Sequence, residues 1–402
     1  MMIQINDKKE CCGCTACESV CPNNAIIMQP DPLGFKYPKI DMTKCVSCGL
    51  CQKTCQFHNN YNRFDNYDTP IVYGIRPKNH TILEKSQSGG AFVVLSDYIL
   101  ENGGAVYGAG YESVYHIIHK RTISKKDRDE LRGSKYVQSD LTGIFRLVRK
   151  DLKEGLTVLF SGTPCQVEGL RSFIGATLSK NLITLDLVCH AVPSPRLWEE
   201  YVKWVEKENG EKIIQANFRN KEFGWYSHYE TFSFVSGKSI SYQLFRYFFF
   251  YKHLGIRDSC TKCPYTNTKR VGDITIGDFW GWENYYNKWN DNRGVSLVMV
   301  NSRKGKELFE KIIDNIYYVQ SNVEECMQPQ LKQHVDFPQR ERKEFVRDFQ
   351  KRGFDYLITK KKYQEAPKAG GLLHQLYILQ QKTSLFKLPI HYIIILIKKI
   401  KK

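Results

Sequence analysis

The chain has 402 residues, 42% apolar and 25% charged, which is enough for two or three domains, each with a real core. Its formal charge of +17 is unevenly spread: residues 346–402 hold thirteen Lys/Arg against three acids, +10 of the total. A positive field confined to one end argues against a nucleic-acid groove across the whole protein, and no nucleic-acid partner is expected. The N-terminus, MMIQINDKKE, is polar and shows no export signal, so a cytoplasmic location is expected. In that compartment the 14 cysteines read as metal ligands before disulfides.

Residues 11–22, CCGCTACESVCP, place Cys11, Cys14, Cys17 and Cys21 in the run C-x2-C-x2-C-x3-C-P, the bacterial ferredoxin spacing for [4Fe-4S] clusters. Cys45, Cys48, Cys51 and Cys55 repeat it, with Gln56 where proline would complete the pattern. In such pairs the fourth cysteine serves the other cluster. Cys11, Cys14, Cys17 and Cys55 are therefore assigned to one cluster, and Cys45, Cys48, Cys51 and Cys21 to the other, with Cys12 spare. The intervening MQPDPLGFKYPKIDMTK fits a β-hairpin between two cluster loops. A zinc module, the alternative, does not account for two triplets each followed by a fourth cysteine.

The polar, aromatic stretch NNYNRFDNYDTP (59–70) reads as a flexible linker with a boundary near residue 65. An α/β pattern follows: IVYGIRP as a strand, SGGAFVVLSDYILENGG as a helix and AVYGAGY as a strand. The helix opens at Ser88, Gly89 and Gly90, which is either a close approach for phosphate or an ordinary Ser N-cap. LTVLFSG (156–162), TPCQVEGLRSFIG and NLITLDLVCH (181–190) form a βαβ unit with neighbouring parallel strands. Cys165 and Cys189 then fall at the carboxyl ends of strands, where ligands bind in open α/β sheets. Cys260 and Cys263, in CTKCPY, need two more ligands. With Cys12 and Cys326 as the remaining cysteines, a third four-cysteine site of Cys165, Cys189, Cys260 and Cys263 is expected; the alternative is a zinc half-site or a plain turn.

Seven phrases in order, SQSGGAF, RGSKYVQSD, FSGTPCQVEGL, LVCHAVPSP, FRNKEFGW, CTKCPY and DITIGDFWG, carry a resemblance. From about residue 71 to about 340 the chain resembles the coenzyme F420 hydrogenase/dehydrogenase beta subunit family, and residues 1–60 resemble the dicluster ferredoxin module fused to many of its members. The resemblance implies non-covalent FAD beside a [4Fe-4S] cluster held by Cys165, Cys189, Cys260 and Cys263. It also implies a flavin site including Ser88, Gly89 and Gly90, together with Ser134, Lys135, Tyr136 and Gln138, and Thr163 beside Cys165. Lys135 would either offset pyrophosphate charge or sit near the isoalloxazine. His190, Arg219, Lys221 and Trp225 lie in the same phrases and His228 just after one of them, and none is assigned a catalytic role.

The expected architecture is an α+β dicluster ferredoxin-like head (1–65), an α/β flavin and iron-sulfur domain (66–345, in parts 66–150 and 151–345) and a basic tail (346–402). The expected function is an oxidoreductase passing electrons between ferredoxin-type clusters and FAD, to reduce or oxidise a small organic substrate or a deazaflavin-like cofactor. The alternative is an electron-transfer subunit without its own substrate. A redox partner such as ferredoxin or a reductase is expected. The apolar run 393–397 is too short to span a bilayer, but beside Lys398, Lys399, Lys401 and Lys402 it suits peripheral contact with the inner membrane face as well as a packed terminal helix.

Overall fold

The computed structural model describes residues 2–58, 66–244 and 252–363. In the head, two short helices, α1 (Ala16–Val20) and α2 (Leu50–Thr54), each carry the third cysteine of a triplet, and an antiparallel hairpin of β1 (Ile26–Pro30) and β2 (Lys36–Ile40) joins them. The hairpin is the one expected. Asp31 shapes its turn, accepting from the backbone N–H groups of Leu33 (2.9 Å) and Phe35 (3.0 Å).

The body opens with β3 (Ile71–Pro77), α3 (His80–Lys85), α4 (Ala91–Glu101), β4 (Ala105–Ser113), β5 (His116–Thr122) and α5 (Lys125–Arg128). It continues with α6 (Ile144–Lys153), β6 (Val158–Gly162), α7 (Pro164–Leu178), β7 (Leu182–Leu187) and α8 (Pro195–Asn209). After these come β8 (Ile213–Asn217), β9 (Glu230–Phe234), β10 (Ser239–Tyr242), β11 (Ile274–Asp278) and β12 (Ser296–Val300), then α9 (Arg303–Ile312), β13 (Ile316–Ser321) and α10 (Gln339–Thr359). Eight strands make one mixed sheet in the order β13-β3-β12-β11-β7-β6-β4-β5. Its middle, β11-β7-β6-β4, is parallel, and the strands on either side run antiparallel.

Strand alternation distributes the core. On β4 and β6, Val106 and Leu159 face one way, into a cluster with Leu95 of α4 and Phe309 of α9. Tyr107, Val158 and Phe160 face the other way, against Phe145 of α6 and Leu170 of α7. The sheet is thus covered on both faces, which explains why β6 and β12 are buried throughout and apolar apart from Ser161 and Ser296.

The head is packed on the body, where a head held only by a tether was expected; residues 59–65 of the expected linker lie outside the described residues. Leu33 and Phe35, 2% and 1% exposed, enter a body cluster containing Trp198, Tyr201 and Phe232. Ser194 Oγ donates to Leu33 O (2.5 Å), Arg146 to Ser19 O and Glu18 O, and Ser172 Oγ to Thr54 O (2.6 Å). The reason is apolar demand: two large side chains at the hairpin turn have no core within the small head and find one in the body.

The boundary expected at residue 345 falls inside α10. Phe345 lies on one side of it and Phe349, Phe354 and Leu357 on the other, all in the same cluster as Trp198. The basic tail beyond residue 363, with its expected membrane contact, lies outside the described residues. Among the described residues no helix is long and apolar enough to cross a membrane.

Candidate functional site

The cysteines gather in three groups. Cys21, Cys45, Cys48 and Cys51 line one small cavity in the head, with Cys48 exposed. The backbone N–H groups of Ala25 and Ile3 are directed at Cys21 Sγ and Cys51 Sγ, each at 3.3 Å. Cys11, Cys14, Cys17 and Cys55 form the second group. Burial pushes the Cys17 thiol well above its ordinary range, and Cys11 and Cys55 raise it further. Burial, with Cys11 adding, pushes Cys55 up to about 11. Each group mixes cysteines from both runs, the arrangement that ligand exchange between motifs requires.

The third group draws on distant segments. Thr163 caps α7 through a reciprocal box with Gln166, with Pro164 in the first turn, and this fixes Cys165 one residue further on. Cys189 lies two residues beyond β7, and Cys260 and Cys263 lie in the turn before β11. Burial raises the Cys189 thiol strongly, with Cys260, Cys165 and Cys263 adding to it; burial and the Cys165 and Cys263 thiols push Cys260 up to about 12. Thiols buried together in this way ionise only against a compensating positive charge, so the donor set fits a polynuclear iron cluster. Among the described residues no three His, Cys, Asp or Glu side chains are grouped tightly enough for a single metal ion.

Beside Cys189 opens a cavity of about 740 Å³, at the carboxyl ends of β6, β7 and β11 and against the middle of β4. Ser88, Gly90, Ser134, Lys135, Tyr136 and Thr163 line it, as do His190, Arg219 and His228. Gly89 does not: a Cβ there would lie 2.2 Å from Ser296 N, so this glycine lets α4 approach β12 from behind. Gln138 does not line it either, contrary to the place the resemblance gave it. Its amide donates to Cys12 O (2.7 Å) and accepts from Arg257 (2.8 Å), where head meets body.

The N-cap of α4 is Gly90, at φ +81°, and not Ser88, whose hydroxyl donates to Val295 O (3.0 Å). The ordinary Ser N-cap is thereby excluded. Lys221 lies outside the cavity and holds the Ser88 segment from behind, donating to Ser88 O (3.0 Å) and Leu83 O (2.6 Å). Trp225 and Arg219 both anchor on Asp278, and Arg219 presents its guanidinium near the Trp280 ring in the cavity wall. Burial pushes Lys135 down to about 7, with Lys120 adding to the shift. His119, held neutral by burial at about 4, lies between Ser161 O and Ser139 Oγ. With Arg132, Lys135 and Arg219 on its wall against Asp278, and with apolar and aromatic surface between them, the cavity suits an anionic, ring-bearing ligand.

Residues 155–325 match the family described as the C terminus of the coenzyme F420 hydrogenase/dehydrogenase beta subunit, and residues 10–59 match the 4Fe-4S dicluster domain. Residues 155–325 thus carry a domain related to these beta subunits, and the head carries a 4Fe-4S dicluster domain. The chain is 21% identical over 329 residues to one of the subunits of the F420H2 dehydrogenase of Methanosarcina mazei, covering 76% of this chain and 88% of that one. Its head is 44% identical over 45 residues to one of the subunits of the Na+-translocating ferredoxin:NAD+ oxidoreductase complex of Acetobacterium woodii, 11% of this chain and 12% of that one. A chain of the F420-reducing [NiFe] hydrogenase complex from Methanosarcina barkeri superposes with a TM-score of 0.44 at 19% identity, covering 74% of this chain and 94% of that one. With its dicluster domain and a body related to these beta subunits, the protein is an iron-sulfur electron-transfer protein related to oxidoreductase subunits.

Sequence reading missed several wall residues, among them Arg132, Tyr226, His253 and Trp280. Arg132 and Trp280 lie within the phrases RGSKYVQSD and DITIGDFWG, whereas Tyr226 and His253 carry no such signal. Gln56 and Arg257, at the head–body contact, were also missed, although the departure from proline at Gln56 was visible.

Proposed function

We propose that this protein is an iron-sulfur flavoprotein oxidoreductase. In this reading [4Fe-4S] clusters are held by Cys11, Cys14, Cys17 and Cys55, by Cys21, Cys45, Cys48 and Cys51, and by Cys165, Cys189, Cys260 and Cys263. FAD occupies the cavity beside Cys189, and the substrate is a small organic molecule or a deazaflavin-like cofactor. The observation that carries the reading is serial placement: a cysteine group with Cys48 at the surface, a more deeply buried one, a third in the body, and a cavity whose wall includes Cys189. When bound, a flavin exchanges electron pairs with substrate and single electrons with clusters.

The protein side chains bind and orient. The start of α4 and Lys135 suit the pyrophosphate, while the Trp280 and Tyr226 side of the wall suits a ring system. The exposed Cys48 end of the head is the side open to a redox partner such as ferredoxin or a reductase.

Protein purified without oxygen and then denatured should release FAD. Release of FMN, or of no flavin after reconstitution, would contradict the assignment. Gly90 is a poor probe because its positive φ strains any larger residue. Ala109, half-buried on β4 and lining the cavity, is better: Ala109→Trp should lower flavin occupancy and leave the iron content unchanged.

Lys135 supplies a proton signature. Its folded value lies below that of an unfolded lysine, so the unfolded chain binds more protons between about pH 7 and 10.5 and stability rises with pH through that window. An anionic ligand beside it raises that value. FAD binding at pH 8 should therefore take up a proton in calorimetry across buffers of different ionisation enthalpy, and Lys135→Met should abolish the uptake.

A second reading, a subunit serving a catalytic partner, is favoured by the relative that is itself a dehydrogenase subunit. Turnover by the purified chain alone distinguishes the two.

A further inference from the structure

The two cysteine groups nearest the head–body contact meet through residues that neither cysteine pattern calls for. Gln56 Nε2 donates to Cys165 O at 2.8 Å and to Cys12 Sγ at 3.4 Å, and Gln56 Oε1 lies 3.6 Å from Cys14 Sγ, a packing contact once Cys14 has given up its thiol proton as a cluster ligand. One amide thus touches a cysteine of the head group and the backbone of a cysteine of the body group. Proline, which the ferredoxin run carries at this place, could make none of these side-chain contacts.

The backbone is cleared on both sides of the same contact. On α7, a Cβ at Gly169 would lie 2.7 Å from Cys14 Sγ and 3.1 Å from Gln56 Oε1. On the head, a Cβ at Gly13 would lie 2.8 Å from Nη1 of the fully buried Arg257, whose Nε donates to Cys11 O at 2.8 Å. Close approach here is therefore built in from two independent directions.

We propose that Gln56 is a positioning residue that sets the separation between the head site of Cys11, Cys14, Cys17 and Cys55 and the body site of Cys165, Cys189, Cys260 and Cys263. Cys12, 4% exposed and assigned to neither site, packs between them and receives one of the Gln56 bonds. This rests on reading both sites as clusters.

The test uses the full chain, reconstituted anaerobically and reduced with dithionite, with iron content and electron paramagnetic resonance as readouts. Magnetic interaction between two reduced centres falls steeply with separation. In the wild type, the head and body signals should broaden one another. Gln56→Pro, which restores the ferredoxin pattern, and Gln56→Glu, which keeps the shape but turns an oxygen toward Cys165 O, should keep full iron and lose that mutual broadening. Wild-type broadening with full iron in Gln56→Glu overturns the proposal. Loss of iron from either site in Gln56→Glu overturns it too, because the residue would then act in assembly rather than in spacing. A wild-type chain that takes up no iron instead refutes the proposed function on which the inference rests.

Discussion

Anaerobically reconstituted protein should contain about twelve irons per chain, and a Cys260→Ser/Cys263→Ser double variant about eight, because four cysteines hold each [4Fe-4S] cluster. The effect should be confined to the third site. Cys260 and Cys263 lie in a turn of the body, whereas the eight candidate ligands of the other two sites are carried by the head. Iron and acid-labile sulfide assays give the count, and spectroscopy of the reduced variant should retain the two head signals. A count near eight in the wild type, unchanged by the double substitution, would remove the third site and leave Cys165 and Cys189 as half-buried thiols at strand ends.

Replacing Phe35 with alanine should destabilise the whole body and not the head alone. Phe35 is 1% exposed, shares a cluster with Trp198, Tyr201 and Phe232, and lies 5.4 Å from the Arg257 guanidinium, ring centroid to Cζ. Removing a buried phenylalanine costs about 3–5 kcal/mol, from lost transfer energy plus an unfilled cavity. Urea unfolding followed by tryptophan fluorescence reads this directly, since Trp198 is part of the same cluster. Ile27, 54% exposed on the same hairpin, is the control, and Ile27→Ala should change stability by less than about 0.5 kcal/mol. Equal effects from the two substitutions would mean that the head is not part of the body core.

What the sequence determined by itself was local. The spacing within residues 11–21 and 45–55 brought each triplet to a short loop and helix. Asp31 and Gly34 marked a turn, and two apolar runs with a short helix between them made parallel neighbours, β6 and β7. These features depend on a residue's immediate neighbours along the chain, so period and spacing reveal them. The position of Cys189 and Cys165 at one sheet edge followed, because strand direction dictates which ends coincide.

Only the tertiary structure decided which distant surfaces meet. Leu33 and Phe35 read as turn residues until the body offers them a core. Ser88 reads as a cap until Val295 takes its hydroxyl, and Gln138 reads as a cavity residue until Cys12 and Arg257 claim its amide. Aromatic residues on both sides of residue 345 likewise read as the start of a basic tail until one cluster buries them together. In each case the partner lies far along the chain, and burial and hydrogen-bond satisfaction are met by whatever the folded chain brings near. No local period records that choice.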